Sequence, residues 1–354
     1  MKNKLKVKGN EYDLPIYLPD ATRGFVKGLD SKDLKESGVR GAVVNTYHLA
    51  EKGLSRFEGI KKFMNFNGLV VSDSGGWQVF SLIHRRQGDG RIADDGVIFE
   101  KGQKIFTPQD SIRAQFEIGS DILICLDDFT SPSSTSKEIK ESVDRTILWA
   151  KMCKDEYSKI IKEQNLSGET RPLLFSVIQG HFDKDLRTYC AEKLIEIGFD
   201  GYGFGGYPIN EEGNLDLEIS KFVAELIPDN AFKFALGIGR PWDIAQLYEY
   251  GWEIFDCTIP TRDARHNRLY AFKDDPSKNV AKLKYKDFYE YVYINKSIFE
   301  NDTSPISPHC ECPVCLNYSK AYIHHLNKSG DLLFYRLATI HNLWIYNKLI
   351  SCLN

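Results

Sequence analysis

The chain has 354 residues and a formal net charge of −3, with 42% hydrophobic and 27% charged residues. This is ordinary globular composition, enough for one large domain or two small ones. No apolar run approaches a membrane span, and no global positive field announces a nucleic-acid partner, although a local basic face can bind phosphate on an acidic protein.

The opening Met1-Lys2-Asn3-Lys4-Leu5-Lys6 is basic, but no apolar core follows it, so a secretory leader is not expected. Continuous apolar, β-branched runs predict eight strands: Leu14–Leu18, Gly41–Asn45, Gly68–Asp73, Ile122–Asp127, Leu173–Gln179, Gly201–Gly206, Lys233–Gly237 and Ile254–Thr258. Helical spacing or end signals mark Ser31–Ser37, Ser136–Glu163, Asp183–Ile197 and Leu217–Leu226 between them. Asn165–Thr170, polar with a glycine, reads as a loop. Runs that do not alternate imply burial on both faces, hence a parallel sheet. Eight β-then-α units fit a closed (β/α)8 barrel over residues 1–270, with 271–354 as a separate subdomain and closing helices. A doubly wound sheet would want a glycine fingerprint after the first strand, and Asp20-Ala21-Thr22-Arg23-Gly24 is a poor one.

A barrel delivers its chemistry at the C-terminal strand ends. Those ends carry Asn45, Asp73, Asp127 with Asp128, Gln179, Gly205-Gly206, Gly237–Gly239 and Asp256. Polar residues cap many strands, but a carboxylate after an unbroken apolar run, as at Asp73 and Asp127, is harder to dismiss. Beyond Asp256, Lys282, Lys284 and Lys286 alternate, which predicts a strand with one basic face, either a lysine-guarded edge or a phosphate contact. Cys310-Glu311-Cys312-Pro313-Val314-Cys315 packs three thiols into six residues. With the other five cysteines scattered, this suggests a reducing cytosol and one metal site. Tetrahedral zinc needs a fourth ligand, for which His324, His325 and His341 are candidates; His309 is too close to Cys310. Four protein ligands leave no open position, so such an ion would be structural.

In order along the chain stand Asn45-Thr46-Tyr47-His48-Leu49, Ser72-Asp73-Ser74-Gly75-Gly76-Trp77-Gln78-Val79-Phe80 and Val177-Ile178-Gln179-Gly180. Gly201-Tyr202 with Gly205-Gly206, Gly237-Ile238-Gly239, Phe255-Asp256-Cys257 with Pro260-Thr261-Arg262, and Cys-x-Cys-x-x-Cys with His341 follow. Together they resemble the tRNA-guanine transglycosylases, which exchange a guanine in tRNA for a 7-deazaguanine. The resemblance implies a (β/α)8 barrel with an attached zinc subdomain, and Asp256 as nucleophile with Asp73 as general acid/base. It implies a base pocket of Asp73, Ser74, Gly75, Gly76, Asp127, Gln179, Gly206 and Tyr207, with Trp77 and Leu236 sandwiching the base. It implies RNA contacts from Gly237, Gly239, Arg240, Thr261, Arg262 and Arg265, and zinc held by Cys310, Cys312, Cys315 and His341. A homodimer formed near the zinc region, with Tyr322 and His325 on that surface, tRNA and queuine or another 7-deazaguanine as partners, and a cytoplasmic setting complete the expectation.

The chemistry suits those residue types. A carboxylate below the anomeric carbon can trap an oxocarbenium-like sugar, as in retaining glycosidases. A second carboxyl with a pKa raised by burial can protonate the leaving purine. Phe129, where relatives carry a smaller residue, and Tyr207-Pro208, where many carry Leu-Ala, put the identity of the incoming base in question. Three rivals remain: insertion into DNA by a related enzyme, a non-catalytic tRNA-binding subunit, which would not need both aspartates, and a barrel metallohydrolase, which would want more histidines on the rim than His48 and His181.

Overall fold

The computed structural model describes residues 2–76, 90–99, 104–131, 133–206, 209 and 213–354. Eight parallel strands form one sheet: β1 (Ile16–Pro19), β2 (Gly41–Asn45), β3 (Leu69–Asp73), β4 (Ile122–Ile124), β5 (Leu173–Ile178), β6 (Gly201–Phe204), β7 (Phe232–Ala235) and β8 (Ile254–Cys257). Each is followed by a helix: α1 (Ser31–Glu36), α2 (Ile60–Met64), α3 (Pro108–Ile118), α4 (Ser136–Glu163), α5 (Lys184–Ile197), α6 (Leu217–Leu226), α7 (Pro241–Glu249) and α8 (Ile259–Arg265). Strands pair in sequence from β2 to β8, and β8 pairs with β1 through Ile254–Ile16 and Asp256–Leu18. Asp20, one residue past β1, bridges Val43 on β2, and the Ala21 N–H donates to the Val43 carbonyl at 2.7 Å. The sheet therefore closes on itself, and the open doubly wound alternative falls.

All eight expected strands are present, because every run but Gly201–Phe204 sends apolar side chains both into the barrel and toward the helices. Ile16, Leu18, Leu69, Val71, Ile122, Phe175, Val177, Phe234 and Ile254 fill the barrel. Intervening residues such as Tyr17, Val44, Val70, Ala235 and Phe255 face the helices. An N-terminal hairpin, Lys4–Val7 paired with Asn10–Asp13, adds Leu5 and Val7 to the interior cluster. It plugs the end of the barrel away from the strand C-termini.

One strand is bare on its inner face. Gly201, Gly203 and Gly205 leave room for the Phe175 ring, Leu236 and the Gln179 amide. A Cβ there would stand 2.7, 2.6 and 2.7 Å from these neighbours, closer than side chains pack.

Past the barrel, β9 (Arg268–Phe272) pairs antiparallel with β10 (Tyr289–Tyr293). The expected basic strand is overturned: Val280–Lys284 is a 3-10 helix. Alternation over three lysines is too short to separate a strand from a tight turn, and the three point to different partners. Lys282 pairs with Asp274, Lys284 with Glu249, and the Lys286 ammonium lies 4.6 Å from the centre of the Trp242 ring. Helices α9 (Pro313–Asn317), α10 (Lys320–Lys328) and α11 (Leu332–Leu353) end the chain. α11 packs on α8, β9 and β1. Arg336 grips Asp33 of α1 with two bonds of 2.9 Å.

Candidate active site

A cavity of about 850 Å³ opens at the C-terminal rim, with Asp73, Asp127, Asp256, Gly206 and Leu236 in its wall. β3 delivers Asp73 inward by strand parity, Leu69 and Val71 having faced the same way. Its carboxylate accepts from the Asn45 amide at 2.8 Å and from the N–H groups of Thr46 at 3.2 Å and Gly75 at 3.1 Å. Gly75 turns back with φ +81°, a left-handed conformation that suits glycine. Burial nevertheless raises Asp73 to about 6, with the charge of Asp20 adding to it. Asp256, inward on β8, accepts a single bond, from the Gly237 N–H at 2.8 Å. Burial, followed by the charges of Asp20 and Asp73, brings it to about 7. The Asp73 charge adds to that rise, and two carboxyls raised by burial stand on one rim.

Beside Asp73 and across the barrel from Asp256, the Gln179 amide donates to Asp127 at 2.7 Å, and the Ser74 hydroxyl donates to the same carboxylate at 3.3 Å. Burial raises Asp127 to about 6. Phe129 lines the cavity beside it. Trp77 and Tyr207, expected against the base, lie outside the described residues, as do Gln78–Phe80 and Pro208.

Arg240 and Arg262 stand in the cavity wall. Arg265 folds back, donating to the Thr261 carbonyl at 2.9 Å. Thr261 is itself buried, its hydroxyl donating to the Thr258 carbonyl at 3.1 Å.

Several residues of the site carry no signal in the sequence. Gln115, wholly buried on α3, laces β3 to β4: it accepts from the Ser72 hydroxyl at 2.8 Å and the Ile124 N–H at 2.8 Å, and donates to the Ile124 carbonyl at 2.9 Å. Asp20 lines the cavity at the end of a strand too short to advertise it. Trp242, Lys286, Tyr289 and Tyr291, from α7 and the β9–β10 hairpin, form an aromatic and basic lip at the mouth.

Cys310, Cys312, Cys315 and His341 converge, with ligand atoms within 4.8 Å of one another. The three sulfurs stand 3.8, 3.4 and 3.4 Å from His341 Nδ1. A tetrahedral zinc with Zn–S about 2.3 Å and Zn–N about 2.0–2.1 Å requires S···N near roughly 3.5 Å. The donor set therefore fits a structural zinc. His341 Nε2 lies 2.7 Å from the Tyr270 carbonyl, which fixes Nδ1 as the metal-facing nitrogen. His324 is taken by the Ile294 carbonyl at 2.7 Å, and His309 and His325 are exposed outside the cluster.

The family model described as queuine tRNA-ribosyltransferase matches residues 3–353. The chain belongs to the queuine tRNA-ribosyltransferase family. Queuine tRNA-ribosyltransferase of Methylacidiphilum infernorum is 36% identical over 347 residues, covering 96% of this chain and 86% of that protein. The protein of the same name from Psychrobacter sp. strain PRwf-1 is 33% identical over 358 residues, 99% and 88% of the two chains. That from Pseudoalteromonas translucida is 34% identical over 347 residues, 96% and 84%. Members of the queuine tRNA-ribosyltransferase family are glycosyltransferases, and a cavity ringed by carboxylates, with room for a nucleotide, is the equipment such a reaction needs. No helix among the described residues is long and apolar enough to cross a membrane.

Proposed function

We propose that this protein exchanges guanine at the wobble position of a tRNA anticodon for a 7-deazaguanine base, through a covalent ribosyl ester on Asp256. The observation that carries the reading is one cavity with three carboxylates in its wall, Asp73, Asp127 and Asp256. Asp127, bonded by Gln179 and next to the strand of Asp73, stands across the barrel from Asp256.

The carboxylate of Asp127 is acceptor-only and suits the N–H donors of a guanine Watson–Crick edge. The Gln179 amide, which donates to Asp127, also suits the purine carbonyl of a bound base. As the N-glycosidic bond lengthens, positive charge develops on the sugar and negative charge on the base. Burial raises both carboxyls, Asp73 to about 6 and Asp256 to about 7. The developing sugar cation favours ionised Asp256, which leaves the proton on Asp73. Asp256 then attacks the anomeric carbon while Asp73 gives its proton to the departing purine nitrogen. In the second half-reaction Asp73 takes a proton from the incoming base, whose nitrogen displaces Asp256 from the sugar. The cluster of Cys310, Cys312, Cys315 and His341 would hold zinc as a brace with no chemical step. The lip of Arg240, Arg262 and Lys286 supports an RNA-facing mouth on a chain of net charge −3. Residues 1–270 would form the catalytic barrel and 271–354 the zinc subdomain. Tyr322 and His325, both exposed on α10, would contribute to a homodimer surface. Free cysteines throughout support a cytoplasmic setting.

The test is incorporation of labelled guanine into unmodified tRNA. Wild type should incorporate it and form a denaturant-stable protein–RNA adduct, whereas Asp256→Ala should do neither. An active Asp256→Ala protein overturns the nucleophile. Asp73→Ala should fold but not turn over. Supplying the same label with duplex or hairpin DNA decides against the DNA rival if only RNA is modified.

A further inference from the structure

The rim carries a third carboxylate that the exchange chemistry does not use. Asp20 lines the same cavity as Asp73 and Asp256. Its place around the barrel is fixed by its neighbours. Two residues earlier Leu18 pairs with Asp256 on β8, and Asp20 itself bridges Val43 on β2. It therefore stands between the strand of Asp256 and the strand whose last residue, Asn45, holds Asp73. The groups suited to a base lie across the barrel, beyond β4 and β5. A nucleotide attached at Asp256, with its base on Asp127 and Gln179, has its sugar along the arc from β8 through β1 to β2.

The Asp20 carboxylate is anchored by one oxygen. Oδ1 accepts from the Thr22 N–H at 3.1 Å and from the Thr22 hydroxyl. Oδ2 makes no hydrogen bond among the described residues, and no Lys or Arg there comes within ion-pair distance of it. Asp20 is half-buried in the wall it shares with Asp73 and Asp256, and its charge reaches Arg265 and His48 without a hydrogen bond from either. An ionised carboxylate can only accept. Within a polynucleotide the 3′ and 5′ sugar oxygens are esterified, so an internal ribose has one O–H donor, the 2′-hydroxyl, and deoxyribose has none.

We infer that Asp20 accepts a hydrogen bond from the 2′-hydroxyl of the target nucleotide and makes the site selective for RNA over DNA. The inference rests on the exchange reaction proposed above. Beside a deoxyribose Asp20 is left unpaired, which is how a polar site gains large discrimination. The bond also strengthens as the sugar approaches an oxocarbenium ion, because hydrogen bonds to the 2-hydroxyl of a reacting sugar tighten there.

The experiment measures kcat/KM for labelled-guanine incorporation into an RNA anticodon hairpin. Three versions differ only at the target guanosine: 2′-hydroxyl, 2′-deoxy and 2′-fluoro. Wild type should prefer the hydroxyl by about 10–100-fold over both others, the range for a hydrogen bond to a charged group. Fluorine can accept but cannot donate, so it should rank with deoxy. In Asp20→Val the hydroxyl substrate should lose most of that factor and the preference should shrink to about threefold or less, with Asp20→Asn between. Equal preference in wild type and Asp20→Val overturns the assignment. Thermal unfolding and free-guanine binding identify a variant that has lost its fold. In that event wild type alone decides, since equal rates on the three hairpins also overturn it. No incorporation into any hairpin defeats the exchange reaction itself, whereas incorporation blind to the 2′-position defeats Asp20 alone.

Discussion

Asp256 illustrates how function costs stability. Its carboxyl is raised from 3.8 to about 7, chiefly by burial. A raised carboxyl means the folded protein holds a proton that the unfolded chain releases, so stability falls as pH rises from about 4 to about 7. For one group the ceiling is on the order of 4 kcal/mol, and water in the open cavity reduces it. Asp256→Asn keeps an acceptor for the Gly237 N–H and cannot ionise. It should therefore be more stable than wild type by about 1–2 kcal/mol at pH 8 and indistinguishable near pH 4, read from urea unfolding at both values. Asp127 has a complementary signature. Burial holds its carboxyl at about 6, and guanine donors favour the anion. Calorimetric guanine affinity should rise through pH 6 and level off above it; a flat profile removes Asp127 from base recognition. Asp73 and Asp256 were legible because apolar strand runs lead up to them, so the rim position followed from the strands. Asp20 was not, because its strand is four residues long and its neighbours Ala21-Thr22-Arg23-Gly24 read as loop. Gln115 was hidden for another reason: on a helix, a buried polar residue has the same spacing as an exposed one.

At the scale of elements, β6 and α11 do the positioning. The bare inner face of β6 leaves the space into which Gln179 reaches. Gly205→Ala would put a Cβ 2.7 Å from the Gln179 amide carbon and from the Ile178 carbonyl. It should destabilise the fold by about 1–3 kcal/mol and weaken guanine binding, checked by unfolding and titration of the same preparation. α11 carries the metal ligand His341, then Asn342, whose amide donates to the Pro260 and Arg268 carbonyls at 3.0 Å each. Tyr346, further along the helix, donates to the Gly239 carbonyl at 2.7 Å. The cluster is thus tied to the segments after β7 and β8. Cys312→Ser should abolish stoichiometric zinc, lower the melting temperature, and weaken RNA binding more than free-guanine binding; full zinc content in that variant would remove the site. The cysteine spacing displayed three ligands openly. The spacing alone left His324, His325 and His341 open; the family resemblance pointed to His341, and the fold brings that residue to the three thiols. The lysine alternation misled because it spanned three residues of a turn.

The whole molecule follows from the two-sided burial of its strands, which is why the barrel could be read from the apolar runs before any contact was known. What the sequence could not display is closure, since the bridge from Asp20 to Val43 joins residues 23 apart outside any regular strand pair. The N-terminal hairpin has a consequence for kinetics. By filling the far end with Leu5 and Val7 it closes the barrel opposite the rim where the cavity opens. If the departing and arriving bases share that rim with the tethered RNA, they pass in turn. Double-reciprocal plots against RNA at several concentrations of incoming base should therefore be parallel, as for a ping-pong enzyme. Free guanine should compete with the incoming base rather than with the RNA. Intersecting lines would mean that both bases occupy the barrel together and would overturn the sequential exchange through Asp256.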